Sequence, residues 1–501
     1  MPERLTERQR KLLFWAVLAL GLFARLWRFG QVPGGLNQDE AFAGYEAWAL
    51  FTTGMDTAGY RFPVYLTAWG SGMNALETYL LLPFVAAFGL KAWVIRLPQL
   101  LVGLLSLPAA YDVAGRLWDR RTGLTAMLLL AICPWHVLLS RWGLESNLAP
   151  GFLLFGLFFF LRAMENRRLL PLSALCYGLS LYAYAAIWPV LPFLLLAQGI
   201  WAARQRAFRA DRYLLLGLLL LGLLALPLLL FLAVNLGWME ELRTPLFSVP
   251  RLLAMRSGEL SLRRIPENLE NLFAILWRQS DGLPWNYAGW YGLLYPVSLP
   301  FALLGLLQAL RERKRTAPLL LMLLGAMALG SLMQVNINRV NLLWLPLVLL
   351  TARGLTWFAD LFRLRLLPLL LAGYLLLFAA FQVYYFTDYR QQIGTLFGEG
   401  LEQAAAACED EKPVYLSREI YYPQLLVAVE MPAEEFREKV EYRVYPAAYL
   451  SAKTIGRWHF GIDGAPEENA YYILSPWENR APFEEAGFTL ERYGSYLLAW
   501  K

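Results

Sequence analysis

Asp39 and Glu40 are adjacent carboxylates in the stretch "NQDEAFAGYEAW" at residues 37–48, directly after the first very apolar segment of the chain. Charge beside hydrocarbon is costly, so the pair needs either a structural or a chemical reason to be there. Asn37-x-x-Glu40 fits a capping box for a helix beginning near Ala41, and acidic residues favour a helix N-terminus. Capping employs one carboxylate. The other, ionised at a water–lipid boundary, suits a general base that takes a proton from a hydroxyl. Further polar residues stand at the ends of other apolar segments: Glu77, Arg96, His136, Arg141, Glu145 and Arg339.

Each of these has a plain reading beside the chemical one. Arg96 in "VIRLPQLL" is either a snorkelling interfacial arginine or a guanidinium that clamps a phosphate. Arg141 and Glu145 are four apart, the spacing of an ordinary helical ion pair, but they also sit on an outer turn. Arg339 lies among Asn336, Asn338 and Asn341 in a short turn, where a lone outer arginine runs against the positive-inside trend and favours a ligand. With two histidines and three cysteines in the chain, a His/Cys zinc site and a disulfide framework are both disfavoured. A metal would be held largely by carboxylates.

The elements that must position these residues are membrane helices. The chain has 501 residues, 58% hydrophobic and 17% charged, with a mean hydropathy of +0.41. Runs such as that at 213–234 are long enough to cross about 30 Å of hydrocarbon. Spans are predicted at about 12–30, 97–115, 122–140, 147–162, 169–187, 189–203, 213–235, 290–309, 316–334, 340–357 and 366–386, the first a retained signal anchor. Basic clusters recur between pairs of spans: Arg4/Arg8/Arg10/Lys11, Arg116/Arg120/Arg121, Arg162/Arg167/Arg168, Arg204/Arg206/Arg209/Arg212, Arg311/Arg313/Lys314/Arg315 and Arg353/Arg363/Arg365. They set an N-terminus inside and a C-terminal tail outside.

Residues 72–89 are apolar with one acid, Glu77, and read as a juxtamembrane or re-entrant helix within a long first outer loop, 31–96. If that segment and one other both cross, the span count rises from eleven to thirteen. A second long outer loop, 236–289, contains an amphipathic stretch at 266–279.

The tail, 387–501, has a different character. It holds 11 Lys/Arg against 19 Asp/Glu, a net of −8, whereas residues 1–386 hold 34 against 20, a net of +14. Strand-like runs "PVYLS", "YRVYP", "AYYILS" and "SYLLAW" alternate with helical "PAEEFREKV" and "RAPFEEAG", which predicts a small extracytoplasmic α/β domain. The basic excess of the membrane part is that of its inner loops. No nucleic-acid motif is present, and no nucleic-acid partner is expected.

An acidic pair after the first span, "RLP" opening the second and an Arg/acid turn after the third together resemble the GT-C membrane glycosyltransferases. The similarity is greatest to the branch of the protein O-mannosyltransferases and the lipid A aminoarabinose transferase, and it covers about residues 10–390. The resemblance implies a GT-C fold and transfer of a sugar from a polyprenyl-phosphate carrier to a protein, lipid or glycan acceptor outside the plasma (inner) membrane. It implies Asp39 as the catalytic carboxylate with Glu40 its neighbour, and Arg96 as the family arginine. Glu145 falls at an acidic position, and Arg339 lies near a basic one.

With Arg141 added, Arg96 and Arg339 form the candidate phosphate-binding set. Glu145 and Glu77 form an acceptor-side or metal-side acidic set, and a divalent ion between Asp39 and Glu145 is an open option. The chain departs from many relatives at 68–77, "AWGSGMNALE", where a His-Pro-Pro-like stretch is usual, so the acceptor stays open. A lipid or polysaccharide transporter would instead place charges or helix breaks midway along several spans. A non-catalytic assembly subunit is the other alternative.

Overall fold

In a computed structural model the described residues are 6–205, 210–255, 261–362, 366–409, 411–446 and 449–501. Arg4, Arg206, Arg209, Arg363 and Arg365 of the basic clusters lie outside them.

Each of the eleven predicted spans overlaps a helix. Six helices are long and apolar enough to cross a membrane by length and composition: Leu97–Leu117, Glu145–Ala163, Arg212–Asn235, Arg313–Leu332, Asn341–Leu361 and Leu366–Phe386. Leu191–Arg204 and Ser298–Arg311 are shorter apolar helices. The third predicted span is broken at Cys133, where Pro134 opens a second short helix, Pro134–Leu139, that turns the chain towards Arg141 and Glu145. The chain is a multi-pass membrane protein.

Composition sorts inner helices from outer ones. Arg212–Asn235 and Leu366–Phe386 are the most apolar of the six, at mean hydropathies of 2.9 and 2.2, yet only 17% and 22% of their apolar windows are buried by protein. That is how a lipid-facing helix reads. Glu145–Ala163 and Asn341–Leu361 are 78% buried and carry the small and polar residues that let helices approach. At the closest crossing, a Cβ on Gly305 would strike the Leu350 carbonyl and one on Gly354 that of Phe301.

Residues 31–96 are mostly ordered secondary structure. The helices Gln38–Thr53 and Leu76–Phe88 pack on each other, a turn Ala92–Ile95 follows, and Leu97–Leu117 continues the chain. In the second loop the amphipathic stretch is the helix Ile265–Arg278, which buries Leu272 and Ile275 and exposes Phe273 and Trp277.

The tail carries a seven-stranded mixed sheet in the order Thr489–Tyr493, Tyr496–Trp500, Tyr471–Leu474, Val414–Leu416, Trp458–Phe460, Tyr449–Ile455, Val440–Tyr445. Its central strand, Val414–Leu416, runs parallel to both neighbours, and the outer pairings are antiparallel. The four predicted strand runs are there, and so are the helices Ala433–Lys439 and Ala481–Glu485. One apolar core joins this sheet's helices to the segment 31–96, with Phe42, Leu66, Trp69 and Ile95 packed together with Leu425, Leu426 and Phe436.

Candidate active site

The helix Gln38–Thr53 begins with the expected capping box. Asn37 Oδ1 accepts from the Asp39 N–H at 3.0 Å, and Glu40 Oε2 accepts from the Asn37 N–H at 3.3 Å. Glu40 is wholly enclosed. Its Oε1 lies 2.6 Å from Arg96 Nε and its Oε2 3.0 Å from Nη2, a forked ion pair, while the Gly143 N–H donates to Oε1 at 2.8 Å. The remaining Arg96 donors meet the carbonyls of Pro33 and Gly35, each at 2.7 Å, and of Gly30 at 3.4 Å.

Two sequence expectations change here. Arg96 is neither a snorkelling residue nor open to a phosphate, because its whole fork is spent on protein oxygens. Glu40, expected beside Asp39 in the catalytic pair, is a buried anchor that fixes the helix start to Arg96 and to the turn at Gly143.

Asp39 stays half-exposed, with its backbone held by Asn37. It faces the tail. Burial first, then the charges of Glu419 and Asp39, raises the Tyr421 phenol. Tyr449 is pushed up to about 12, again by burial first, with Tyr421 and Asp39 adding to it. Trp69 stacks on Tyr449 with ring centroids 6.1 Å apart and planes 7° from parallel, and meets Tyr421 edge-on. Aromatic rings from the first loop and the tail thus stand beside the carboxylate that retains access.

Glu77 and Glu145 join Glu40 around the turn at Gly143. A Cβ on Gly143 would lie 2.6 Å from Glu77 Oε1 and 3.1 Å from Glu40 Cγ, so glycine is what lets the two acids close on this turn. Glu77 is buried, and neither carboxyl oxygen has a hydrogen-bond partner of ordinary geometry among the described residues. Burial holds this carboxyl well above the usual carboxylate range; the Gln99 amide opposes that shift, and the charges of Glu40, Glu145 and Asp39 reinforce it. Glu145 Oε2 accepts from the Asn74 Nδ2 at 2.9 Å and from the Asn74 backbone N–H. Among the described residues no group of three or more His, Cys, Asp or Glu is arranged to hold a metal ion.

Arg141 is also spent internally. Its guanidinium donates to the carbonyls of Ala24, Arg25, Trp27, Arg28 and Val32 and to the Tyr385 hydroxyl. Those carbonyls lie at the end of the first helix, Glu7–Leu26, and in the turn after it, so Arg141 caps that end and does not pair with Glu145. His136 is buried with its Nδ1 2.7 Å from Arg25 Nη2.

Arg339 is half-buried on the turn 334–341, with its backbone N–H held by Asn336 Oδ1 at 2.8 Å and Nη1 on the Gln334 carbonyl at 3.1 Å. Asn341 ties this turn to Ser146 and Asn147, the residues following Glu145, and takes the Trp135 indole N–H. Two of the three asparagines therefore build or dock the turn. Sequence reasoning did not single out Gly143, Arg25, Trp69, Tyr421 or Tyr449. A glycine between Trp142 and Leu144 and an arginine inside an apolar span were the only local signals.

Residues 75–247 match the family model described as dolichyl-phosphate-mannose-protein mannosyltransferase. The match includes Glu77, Arg96, Arg141 and Glu145 and leaves Asp39 and Glu40 outside it. Among solved structures, ArnT from Cupriavidus metallidurans bound to undecaprenyl phosphate superposes with a TM-score of 0.58 at 14% identity, covering 99% of this chain and 98% of that one. The fold is that of the GT-C glycosyltransferases. Apo ArnT gives 0.56 at 14% identity over 98% and 97%. The apo oligosaccharyltransferase of Archaeoglobus fulgidus gives 0.52 at 14% identity, covering 85% of this chain and 64% of that one. Among curated proteins none matches in sequence.

A second acidic pair, Glu46 and Asp56, predicts a pH dependence of stability. Glu46 and Asp56 are both buried. Glu46 Oε2 accepts from the Thr57 N–H at 2.9 Å, and Asp56 Oδ1 from the Tyr60 N–H at 2.7 Å. Burial raises both carboxyls, Glu46 being raised further by the charge of Asp56. The folded state therefore keeps protons that the unfolded chain releases in the ordinary carboxylate range. Stability should fall as pH rises from that range through the raised folded values. The thermal midpoint in detergent is expected to drop between pH 5.5 and pH 8, and Glu46→Gln should flatten the drop. A wild-type midpoint that rises over this interval would contradict the assignment.

Proposed function

We propose that the chain transfers a sugar from a polyprenyl-phosphate carrier to an acceptor hydroxyl at the extracytoplasmic face, with Asp39 as general base. One observation carries this reading. Of the adjacent acidic pair, Glu40 is enclosed and ion-paired to Arg96, and Asp39 keeps access beside an aromatic wall. The carrier class is supported by the mannosyltransferase family match and by the undecaprenyl phosphate held by a protein of the same fold.

In the reaction the acceptor oxygen attacks the anomeric carbon and Asp39 takes its proton. The bond from the anomeric carbon to the phosphate oxygen breaks, its electron pair leaving with the polyprenyl phosphate. Attack from the face opposite the leaving group inverts the configuration. The departing phosphate gains charge; Arg96 and Arg141 are fully buried, whereas Arg339 is half-buried on the turn 334–341, and the phosphate role is assigned to it. Burial raises the Glu77 carboxyl, which disfavours a second charge beside the Glu40–Arg96 pair, and Glu145 holds Asn74. The test is turnover of a polyprenyl-phosphate sugar that is lost with Asp39.

The same reading places residues 1–386 as the catalytic membrane domain, with eleven spans and a cytoplasmic N-terminus, and 387–501 as an extracytoplasmic domain. Cysteines at the exposed positions Glu485 and Lys314 test it in intact cells, in a Cys176→Ser background, since native Cys133 and Cys408 are buried and Cys176 is half-buried. Glu485→Cys should react with an impermeant maleimide and Lys314→Cys only after lysis. Equal labelling of both would overturn the orientation.

A further inference from the structure

The segment that delivers Asp39 is gripped by the tail. Leu36, the residue before the Asn37 cap, donates its N–H to the Phe397 carbonyl at 2.8 Å, and its own carbonyl accepts from Gln424 Nε2 at 2.7 Å. Gln424 is buried, and its other end is also committed: Oε1 accepts from the Tyr421 N–H at 3.0 Å, closing the start of the helix Tyr422–Ala428. One side chain therefore ties the backbone three residues ahead of Asp39 to the backbone of the tyrosine that feels its charge.

The preceding residues leave little slack. Gly35 adopts φ +67°, and a Cβ there would strike the Phe397 carbonyl; one on Gly34 would lie 2.6 Å from the Glu399 carboxyl carbon. Arg96 Nη2 holds the Gly35 carbonyl at 2.7 Å. Further along the loop, Tyr45 Oη donates to the Met431 carbonyl at 2.7 Å, and the Leu450 N–H donates to that of Trp69 at 3.0 Å.

We propose that Gln424 is a positioning residue for Asp39, so that the tail is part of the catalytic apparatus. This rests on the assignment of Asp39 as the base. Gln424 has no contact with the reacting atoms. It fixes the start of the helix Gln38–Thr53 against Tyr421, and loosening that hold should slow the proton transfer while leaving the carrier's binding intact.

Gln424→Glu separates the two ends of the side chain. A carboxylate still accepts from the Tyr421 N–H, so the tail helix keeps its cap, but it cannot donate to Leu36. Hydrogen exchange of the amides at 36–41 should accelerate while the strands Val414–Leu416 and Tyr471–Leu474 keep their protection. Turnover should fall by about tenfold or more, the scale of a small displacement of a reacting group, with donor KM unchanged within about twofold. Where the buried carboxylate prevents folding, Gln424→Met, uncharged and of similar length, also releases Leu36; it gives up the bond to the Tyr421 N–H as well, so retained protection of Val414–Leu416 and Tyr471–Leu474 is its control.

Unchanged exchange at 36–41 overturns the proposal. So does faster exchange with unchanged kcat, or an effect confined to KM. Full activity of Asp39→Asn would instead sink the assignment of the base, and the exchange measurement would still decide whether Gln424 holds the segment.

Discussion

Asp39→Asn is expected to lower sugar transfer by a factor of about 10²–10⁴, the range for loss of a general base, with expression and carrier binding largely kept. Asparagine preserves the size of the side chain, and the backbone N–H of residue 39 still meets Asn37 Oδ1, so the helix start survives. The capping box does not pass through the Asp39 carboxylate, because Asn37 and Glu40 form it between them. What the substitution removes is the proton acceptor. A mutant retaining more than about a tenth of wild-type turnover would exclude Asp39 as the base. Loss of protein rather than turnover would assign the residue to folding.

Arg96 carries the second large effect, and it falls on stability. Arg96→Ala leaves the Glu40 carboxylate buried with only the Gly143 N–H and the Asn37 cap as donors. Breaking a buried pair from one side costs about 3–5 kcal/mol, a large part of the stability of a typical domain. The double substitution Glu40→Gln with Arg96→Met removes both charges and should recover most of that loss, since the desolvation cost disappears with the pair. Arg96→Lys should also destabilise, because a point charge cannot serve two carboxylate oxygens and three carbonyls at once. Thermal midpoints of the purified variants measure this. Unchanged midpoints together with weakened polyprenyl-phosphate binding would restore Arg96 to the phosphate.

The helical frame was legible because apolar length and basic clusters are properties of single segments. The cap at Asn37 and Glu40 was legible for the same reason, its partners being three residues apart. The use of Arg96 was not: its acid lies 56 residues away, its carbonyls in the turn 30–35, and an arginine entering an apolar span looks alike whether it meets lipid, phosphate or a buried glutamate. Arg141 misled similarly, because the Glu145 spacing suggested a helical pair while a break between the helices Pro134–Leu139 and Glu145–Ala163 sends the guanidinium to the end of the first helix. In the tail, Tyr449–Ile455, Trp458–Phe460 and Thr489–Tyr493 were not legible, because "YLSAKTI" and "TLERY" mix polar with apolar residues and "WHF" is only three residues long. Their place comes from pairing with neighbours across the sheet.

The most direct measurement is donor consumption. Purified protein is incubated with a panel of sugars linked to polyprenyl phosphate, and release of the polyprenyl phosphate is followed for wild type and Asp39→Asn. The account predicts that wild type consumes at least one donor, with inversion at the anomeric carbon of the product, and that the variant binds the same donor without consuming it. Release of carrier by both proteins at equal rates, or movement of intact donor across a vesicle membrane with no bond broken, would contradict it.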